Sequence, residues 1–212
     1  MGQAARLHAD LTVGGGCNNG CKGCLWTRRL TSAPRASVPV PESVAGRFVR
    51  LAGREPTVRA DLVQLVQALR AGGATGVEIE TNGRMLAYSK YVRAIHRAGL
   101  DRAAIKLFGV DATSWEAHTR VPGSFAQTLE AIATVRREAP QITLVAVLVA
   151  RREPGARLDE LLTFALSLGF AHVRVDLRLA KLDLAALPAL LSLARELRRA
   201  PPKGVSLDFS AG

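Results

Sequence analysis

Residues 142–149 read Ile142-Thr143-Leu144-Val145-Ala146-Val147-Leu148-Val149. Seven of these eight side chains are apolar, and several are β-branched. A run of this length with no polar alternation is a strand covered on both faces, as in a parallel sheet flanked by helices. The residues on either side repeat the theme. Upstream, Ser124 with Gln127 forms a candidate capping box that opens a helix to about Glu138. Downstream, Leu158 to Leu168 is a helix that stops at Gly169, and Val173 to Leu177 is another apolar run. Toward the N-terminus, Ala104 to Phe108, Val77 to Ile79, Phe48 to Leu51 and Leu7 to Val13 read as strands. Leu62, Leu65, Val66 and Leu69 fall on one face of a helix ended by Gly72-Gly73. A further helix is expected from about Arg84 to Ala98, another runs to about Arg199 with Pro188 in its first turn, and Val205 to Phe209 is a last short strand.

The pattern is a βα unit repeated about six times. Strands joined by helical crossovers make a parallel sheet. Six units are too few to close an eight-fold barrel, so the expected architecture is an α/β open partial barrel, (β/α)6, with helices outside. Functional groups then belong at the C-terminal ends of the strands. The 212 residues suit a single domain, 1–212, with no second domain and no low-complexity segment expected. Residues 25 to 46 read mostly as loop.

Composition narrows the class. Hydrophobic residues make up 48%, enough for a core without disulfide staples. No stretch of about 18 apolar residues marks a membrane span. Met1 to Asp10 lacks the apolar run of a secretory leader, so the cytoplasm is the expected location. The formal charge of +11 is carried mainly by scattered arginines, the ordinary sign of solvated faces rather than of a nucleic-acid stripe.

All three cysteines lie within eight residues, as Cys17-Asn18-Asn19-Gly20-Cys21-Lys22-Gly23-Cys24. An odd count, clustered, argues for metal rather than disulfides. The segment follows the first strand and so sits on the functional rim. Gly14, Gly15, Gly16, Gly20 and Gly23 let the loop, 14–26, wrap tightly. Three close thiolates suit an iron–sulfur cluster, and in a 4Fe-4S cluster three ligands leave one iron open to a small molecule. The competing reading is zinc with a distant fourth ligand from His8, His96, His118 or His172, none of which has a paired spacing.

The spacing C-x3-C-x2-C resembles the motif of the radical S-adenosylmethionine (radical SAM) superfamily. The resemblance continues along the chain. Arg50-Leu51-Ala52-Gly53-Arg54-Glu55-Pro56-Thr57 resembles the family's Gly-Gly-Glu-Pro segment after the second strand. Thr81-Asn82-Gly83 recurs after the third strand in the family. Phe108-Gly109 through His118 to Val121-Pro122-Gly123-Ser124-Phe125 resembles members that modify peptides and other substrates.

The resemblance implies a 4Fe-4S cluster ligated by Cys17, Cys21 and Cys24. It implies S-adenosylmethionine bound at the open iron, reductive cleavage to a 5′-deoxyadenosyl radical, and hydrogen abstraction from a substrate. It places Gly53, Arg54 and Glu55 against the methionine amino group, Thr81 and Asn82 on the pocket rim, Lys106 near the ribose, and Leu148 near adenine, where a core position is the ordinary reading. Two residues depart from the pattern. Arg54 stands at the second glycine, where a positive φ would strain it and where its charge would meet a cationic ligand or pair with the ligand's carboxylate. Gly23 stands where many relatives carry an aromatic residue, with Trp26 nearby. Glu80, Arg151, Asp176 and Arg178 lie near strand ends, with salt bridges as their ordinary role.

With no further cysteines, no auxiliary cluster domain is expected. The substrate is unidentified, with a peptide or protein mildly preferred, and an external electron donor is required. The alternatives are a glycyl-radical activase, an RNA-modifying enzyme suggested by the charge, and a cluster-bearing partner subunit without turnover.

Overall fold

The computed structural model describes residues 8–13, 15–22, 24, 44–149, 158–176, 195 and 206–210. Seven strands form one sheet: β1 His8–Thr12, β2 Phe48–Ala52, β3 Gly76–Thr81, β4 Arg102–Leu107, β5 Thr143–Val149, β6 His172–Asp176 and β7 Ser206–Ser210. Their spatial order is their sequence order, and every neighbouring pair is parallel. Each strand thus ends on the same rim. The seventh strand is the short one expected at the end of the six βα units.

Side-chain alternation divides the sheet into two chemically different faces. Leu51, Val77, Ile79, Ala103, Ile105, Leu107, Ala146, Leu148 and Val173 face the helices and are at most 1% exposed. Against them pack α1 (Leu62–Ala71), α2 (Ser89–Arg97), α4 (Ser124–Glu138) and α5 (Leu158–Ser167). In α1 the buried residues are Leu62, Leu65, Val66 and Leu69, the face that the 3.6-residue period predicts. Ile79 lies at the centre of this layer with no exposed surface. Ile79→Ala is expected to cost about 2–5 kcal/mol in a denaturant melt, from lost transfer energy and the cavity left behind.

The other face is charged. Asp10, Arg50, Glu78 and Arg102 stand in one cross-strand row, alternating in sign. Arg50 is bonded to Asp10, and the Arg102 guanidinium lies 5.0 Å from the Phe48 ring centre. On β6, Arg174 reaches Glu78 on β3 with two bonds, of 2.7 and 3.0 Å. In a flat sheet those strands would lie about 14 Å apart, with parallel side chains. Direct contact requires the sheet to curve, and this charged face is its concave side. Ala104, Val145 and Val147 form a small apolar patch there, separate from the main core.

Three local features differ from expectation. The helix expected over 84–98 is a 3-10 turn, Arg84–Ala87, followed by α2; extended backbone at Tyr88 breaks the run. The capping box expected at Ser124 is absent. Gly123 in the left-handed region is the N-cap of α4, and the Ser124 hydroxyl meets the Thr119 hydroxyl at 2.7 Å. A helix without a sequence signal, α3 (Ala112–Thr119), precedes it and carries the capping box instead, between Asp111 and Ser114. The helix expected up to Arg199 lies outside the described residues, apart from residue 195.

Candidate functional site

Parallel pairing brings the turns after β1, β2, β3 and β4 to one rim. The cysteine loop follows β1 and is anchored at its base by the Val13 N–H, which donates to the Ala52 carbonyl at 2.9 Å. At the end of β2 the chain turns through Gly53, whose φ of 125° belongs to glycine. Arg54 takes no such conformation. Among the described residues Arg120 is the one non-glycine with positive φ, so the strain anticipated for Arg54 is not present.

Glu55 is the central brace. It is 1% exposed. Oε1 accepts from Thr57 N (3.1 Å), Thr57 Oγ1 (2.5 Å) and Thr81 Oγ1 (2.5 Å), and Oε2 accepts from Asn82 N (2.7 Å). Three of the four donors converge on Oε1, whose two lone pairs they saturate, and one holds Oε2. The side chain therefore ties the ends of β2 and β3 together and supports the rim from below.

Asn82 carries the connection to the cysteines. Its Nδ2 donates to Asn18 Oδ1 at 2.7 Å and lies 4.0 Å from Cys17 Sγ. Its Oδ1 accepts from Arg84 N at 3.0 Å, and its carbonyl accepts from Thr128 on α4. Gly83 has a φ of 86°, and a Cβ there would lie 3.1–3.2 Å from Thr128 and Ile105. The turn thus needs glycine for both conformation and space.

The loop is held from several sides. Arg84 Nη1 donates to the Asn18 carbonyl and to Asn19 Oδ1 (3.0 Å), while its Nε donates to Gln127 Oε1 (2.7 Å). Arg54 Nη1 donates to the Gly15 carbonyl (3.2 Å), and Arg59 Nη1 to the Val13 carbonyl (3.0 Å). On the other side, Gly20 N and Lys22 N donate to the carbonyls of Thr119 and His118, each at 2.9 Å. The His118 ring stacks on Phe108 at 5.1 Å, and Phe108 meets Trp115 edge to face. The sequence marks neither Arg59 nor Arg84 as a site residue and offers Gln127 only as a capping-box partner of Ser124. The adjacency of Arg84 to the Thr-Asn-Gly turn was the available signal.

The three cysteines are half-buried and form no disulfide. Burial pushes the Cys17 thiol above its ordinary range. The Asn19 N–H, 3.4 Å from the sulfur, opposes this, Glu55 and Cys24 add to it, and Arg54 draws it back. Three thiols on one short loop, with backbone and amide N–H groups directed at sulfur, fit the ligand set of an iron–sulfur cluster. Among the described residues, no three His, Cys, Asp or Glu side chains converge to hold a single metal ion.

Of the residues expected at the site, Arg54 and Asn82 meet the cysteine loop, Glu55 and Thr81 brace Asn82 from behind, and Gly53 turns the chain at the end of β2. Lys106 lies on the concave face, with its amine 2.7 Å from Glu80 in a mostly buried pair. Leu148 is not at the site. Its place in the strand alternation turns it to the convex side, where it is fully buried in the helix-facing core. Asp176 is buried on the concave side. Gly14, Gly23, Trp26, Arg151 and Arg178 lie outside the described residues.

A family model described as the radical SAM superfamily matches residues 11–165. A GTP 3′,8-cyclase of Marinobacter nauticus is 28% identical over 168 residues, covering 74% of this chain and 50% of that protein. A GTP 3′,8-cyclase of Lactiplantibacillus plantarum is 31% identical over 173 residues, covering 75% and 50%. The chain spans about half the length of these curated relatives. Among solved structures, Streptococcus suis SuiB bound to S-adenosylmethionine superposes with a TM-score of 0.70 at 16% identity, covering 97% of this chain and 50% of that one. Methylornithine synthase (PylB) gives 0.61 at 15% identity, covering 80% and 52%. These likenesses share the open partial barrel. No helix among the described residues is long and apolar enough to cross a membrane.

Proposed function

Since the chain belongs to the radical SAM superfamily, whose enzymes use a 4Fe-4S cluster and S-adenosylmethionine, we propose that Cys17, Cys21 and Cys24 ligate that cluster and that the rim around Gly53 and Asn82 seats the S-adenosylmethionine. When bound and reduced, the cluster supplies the electron that splits S-adenosylmethionine into methionine and a 5′-deoxyadenosyl radical. This chain's residues orient and enclose. Gly53 opens the backbone at the end of β2, the Arg54 guanidinium on the Gly15 carbonyl would pair with a ligand carboxylate, and Thr81 and Asn82 shape the pocket through Glu55. The concave face below receives the substrate from which hydrogen is taken. The observation that carries the reading is the attachment of the Cys17 segment to the ends of β2 and β3 through Asn82, Arg84 and Arg54.

For the substrate, the reading that has most support is a purine nucleotide such as GTP. Its support is the name of relatives aligned with three quarters of the chain. A peptide is the second reading, favoured by the fold likeness to SuiB, also solved bound to its precursor peptide. An external donor supplies the electron, and the cytoplasm, where thiols stay reduced, is the fitting compartment.

The test is anaerobic reconstitution, reduction with dithionite and incubation with S-adenosylmethionine, with and without GTP. Wild type is expected to form 5′-deoxyadenosine. Cys17→Ala, Cys21→Ala and Cys24→Ala are each expected to lose both the cluster absorbance and the product. A fully loaded wild type that forms none, with GTP or without it, would overturn cleavage and leave a cluster-bearing partner subunit.

A further inference from the structure

The three guanidinium groups that grip the cysteine loop differ in their charge partners. Arg59, on the Val13 carbonyl, also pairs with Asp61 at 2.6 Å. Arg54, on the Gly15 carbonyl, and Arg84, on the Asn18 carbonyl, have no carboxylate in salt-bridge contact among the described residues. The second partner of Arg84 is the neutral amide of Gln127. Glu55, next in sequence to Arg54, is bonded to Thr57, Thr81 and Asn82 rather than to a guanidinium, and its charge also reaches Cys17. Two guanidinium charges are thus held against the main chain on either side of Cys17 in a half-buried site, where they oppose the charge of Glu55.

A cluster held by three thiolates is anionic, and reduction adds a further negative charge. A fixed cation nearby lowers the energy of the reduced form more than that of the oxidised one, and partial burial preserves the effect. We infer that Arg54 and Arg84 are positioning residues that also act electrostatically. Their guanidinium groups fix the Cys17 segment, and their charges, set against that of Glu55, raise the reduction potential of the cluster. The inference rests on the reading that Cys17, Cys21 and Cys24 hold the cluster. It also accounts for an arginine at the position where the family has its second glycine.

The experiment is a redox titration of the reconstituted full chain, without S-adenosylmethionine, followed by the electron paramagnetic resonance signal of the reduced cluster. Wild type is compared with Arg54→Gln, Arg84→Gln, Arg54→Lys and Arg84→Lys. Arg93→Gln, which removes a surface pair with Glu138, is the remote control. Both Gln variants are expected to titrate at more negative potential, while the Lys variants, which keep the charge but not the fork, stay nearer wild type. Lys variants should still release iron to a chelator faster, by roughly tenfold, because the charge-assisted bonds to the loop are weakened. A Gln variant without cluster beside a loaded Lys variant also supports the role of charge. Gln variants with wild-type midpoints overturn the inference, as does an equal shift in Arg93→Gln. Failure of both Gln and Lys variants to hold a cluster reduces the residue to an anchor and overturns the electrostatic role. A wild type that takes up no cluster overturns this inference and the proposed function together, whereas a loaded wild type with unmoved variants overturns this inference alone.

Discussion

Glu78→Ala is expected to cost the fold about 3–5 kcal/mol, because it takes from the buried Arg174 charge the carboxylate that accepts two of its bonds. The Glu78 side chain is 1% exposed and that of Arg174 9%. Burial works against the guanidinium charge, and the bonds it donates to Glu78, with that carboxylate's charge, more than restore it. Replacing both residues together, as Glu78→Leu with Arg174→Met, is expected to be close to neutral, since the desolvation cost disappears with the pair. A double-mutant cycle in urea, read by circular dichroism, gives the coupling directly. A cost below about 1 kcal/mol for Glu78→Ala, with no coupling to Arg174, would mean that the pair does not hold the curvature. The pair differs from the Arg50–Asp10 contact on the same face, where Asp10 is 55% exposed and solvent screens the interaction.

Glu55 carries the second large effect. Glu55→Ala strands four donors beneath the rim and is expected to destabilise on the order of 3–5 kcal/mol. Glu55→Gln is the sharper probe. It keeps the shape but turns one acceptor oxygen into a donor, set against Asn82 N or the hydroxyls of Thr57 and Thr81. Its cost is expected to be about 2–3 kcal/mol. Both variants should also loosen the cysteine loop, because Asn82 is the link between Glu55 and Asn18. Iron retention after reconstitution reads that second consequence. Glu55→Gln with wild-type stability and full iron retention would show that the buried network is not what positions the loop.

The strands were legible because the parallel sheet is covered on its convex side by helices and filled on its concave side. The apolar run at 142–149 is therefore nearly continuous, and those at 77–79 and 104–108 are each broken by a single charged residue. The concave face was harder to read. Arg50, Glu78, Lys106 and Arg174 interrupt those runs or lie at their ends, and nothing local to Glu78 names a partner 96 residues away. The site was legible in its cysteines, whose chemistry depends on spacing within one loop. Its supports were not, because Arg59, Arg84 and Gln127 act through contacts made by the fold. Leu148 shows the same limit. In a run apolar on both faces, composition does not say which side a given residue takes, and the register with β4 decides it. The helix α3 escaped notice because it is eight residues long and half enclosed by the aromatic contacts of Phe108 and Phe125.

The Glu78–Arg174 contact also has a consequence in time. Because strand order follows sequence order, each strand leaving the ribosome finds its neighbour already made, and pairing can proceed step by step. Glu78 is the exception. Its partner is synthesised 96 residues later, an interval of roughly 5–20 s at ordinary elongation rates. During that interval Glu78 has the neighbouring charges of Arg50 and Arg102 but lacks the two bonds that its final burial relies on. A nascent chain stalled before β6 should therefore keep its concave face open and wet, and the arrival of Arg174 marks the moment at which the sheet can bend into its working shape.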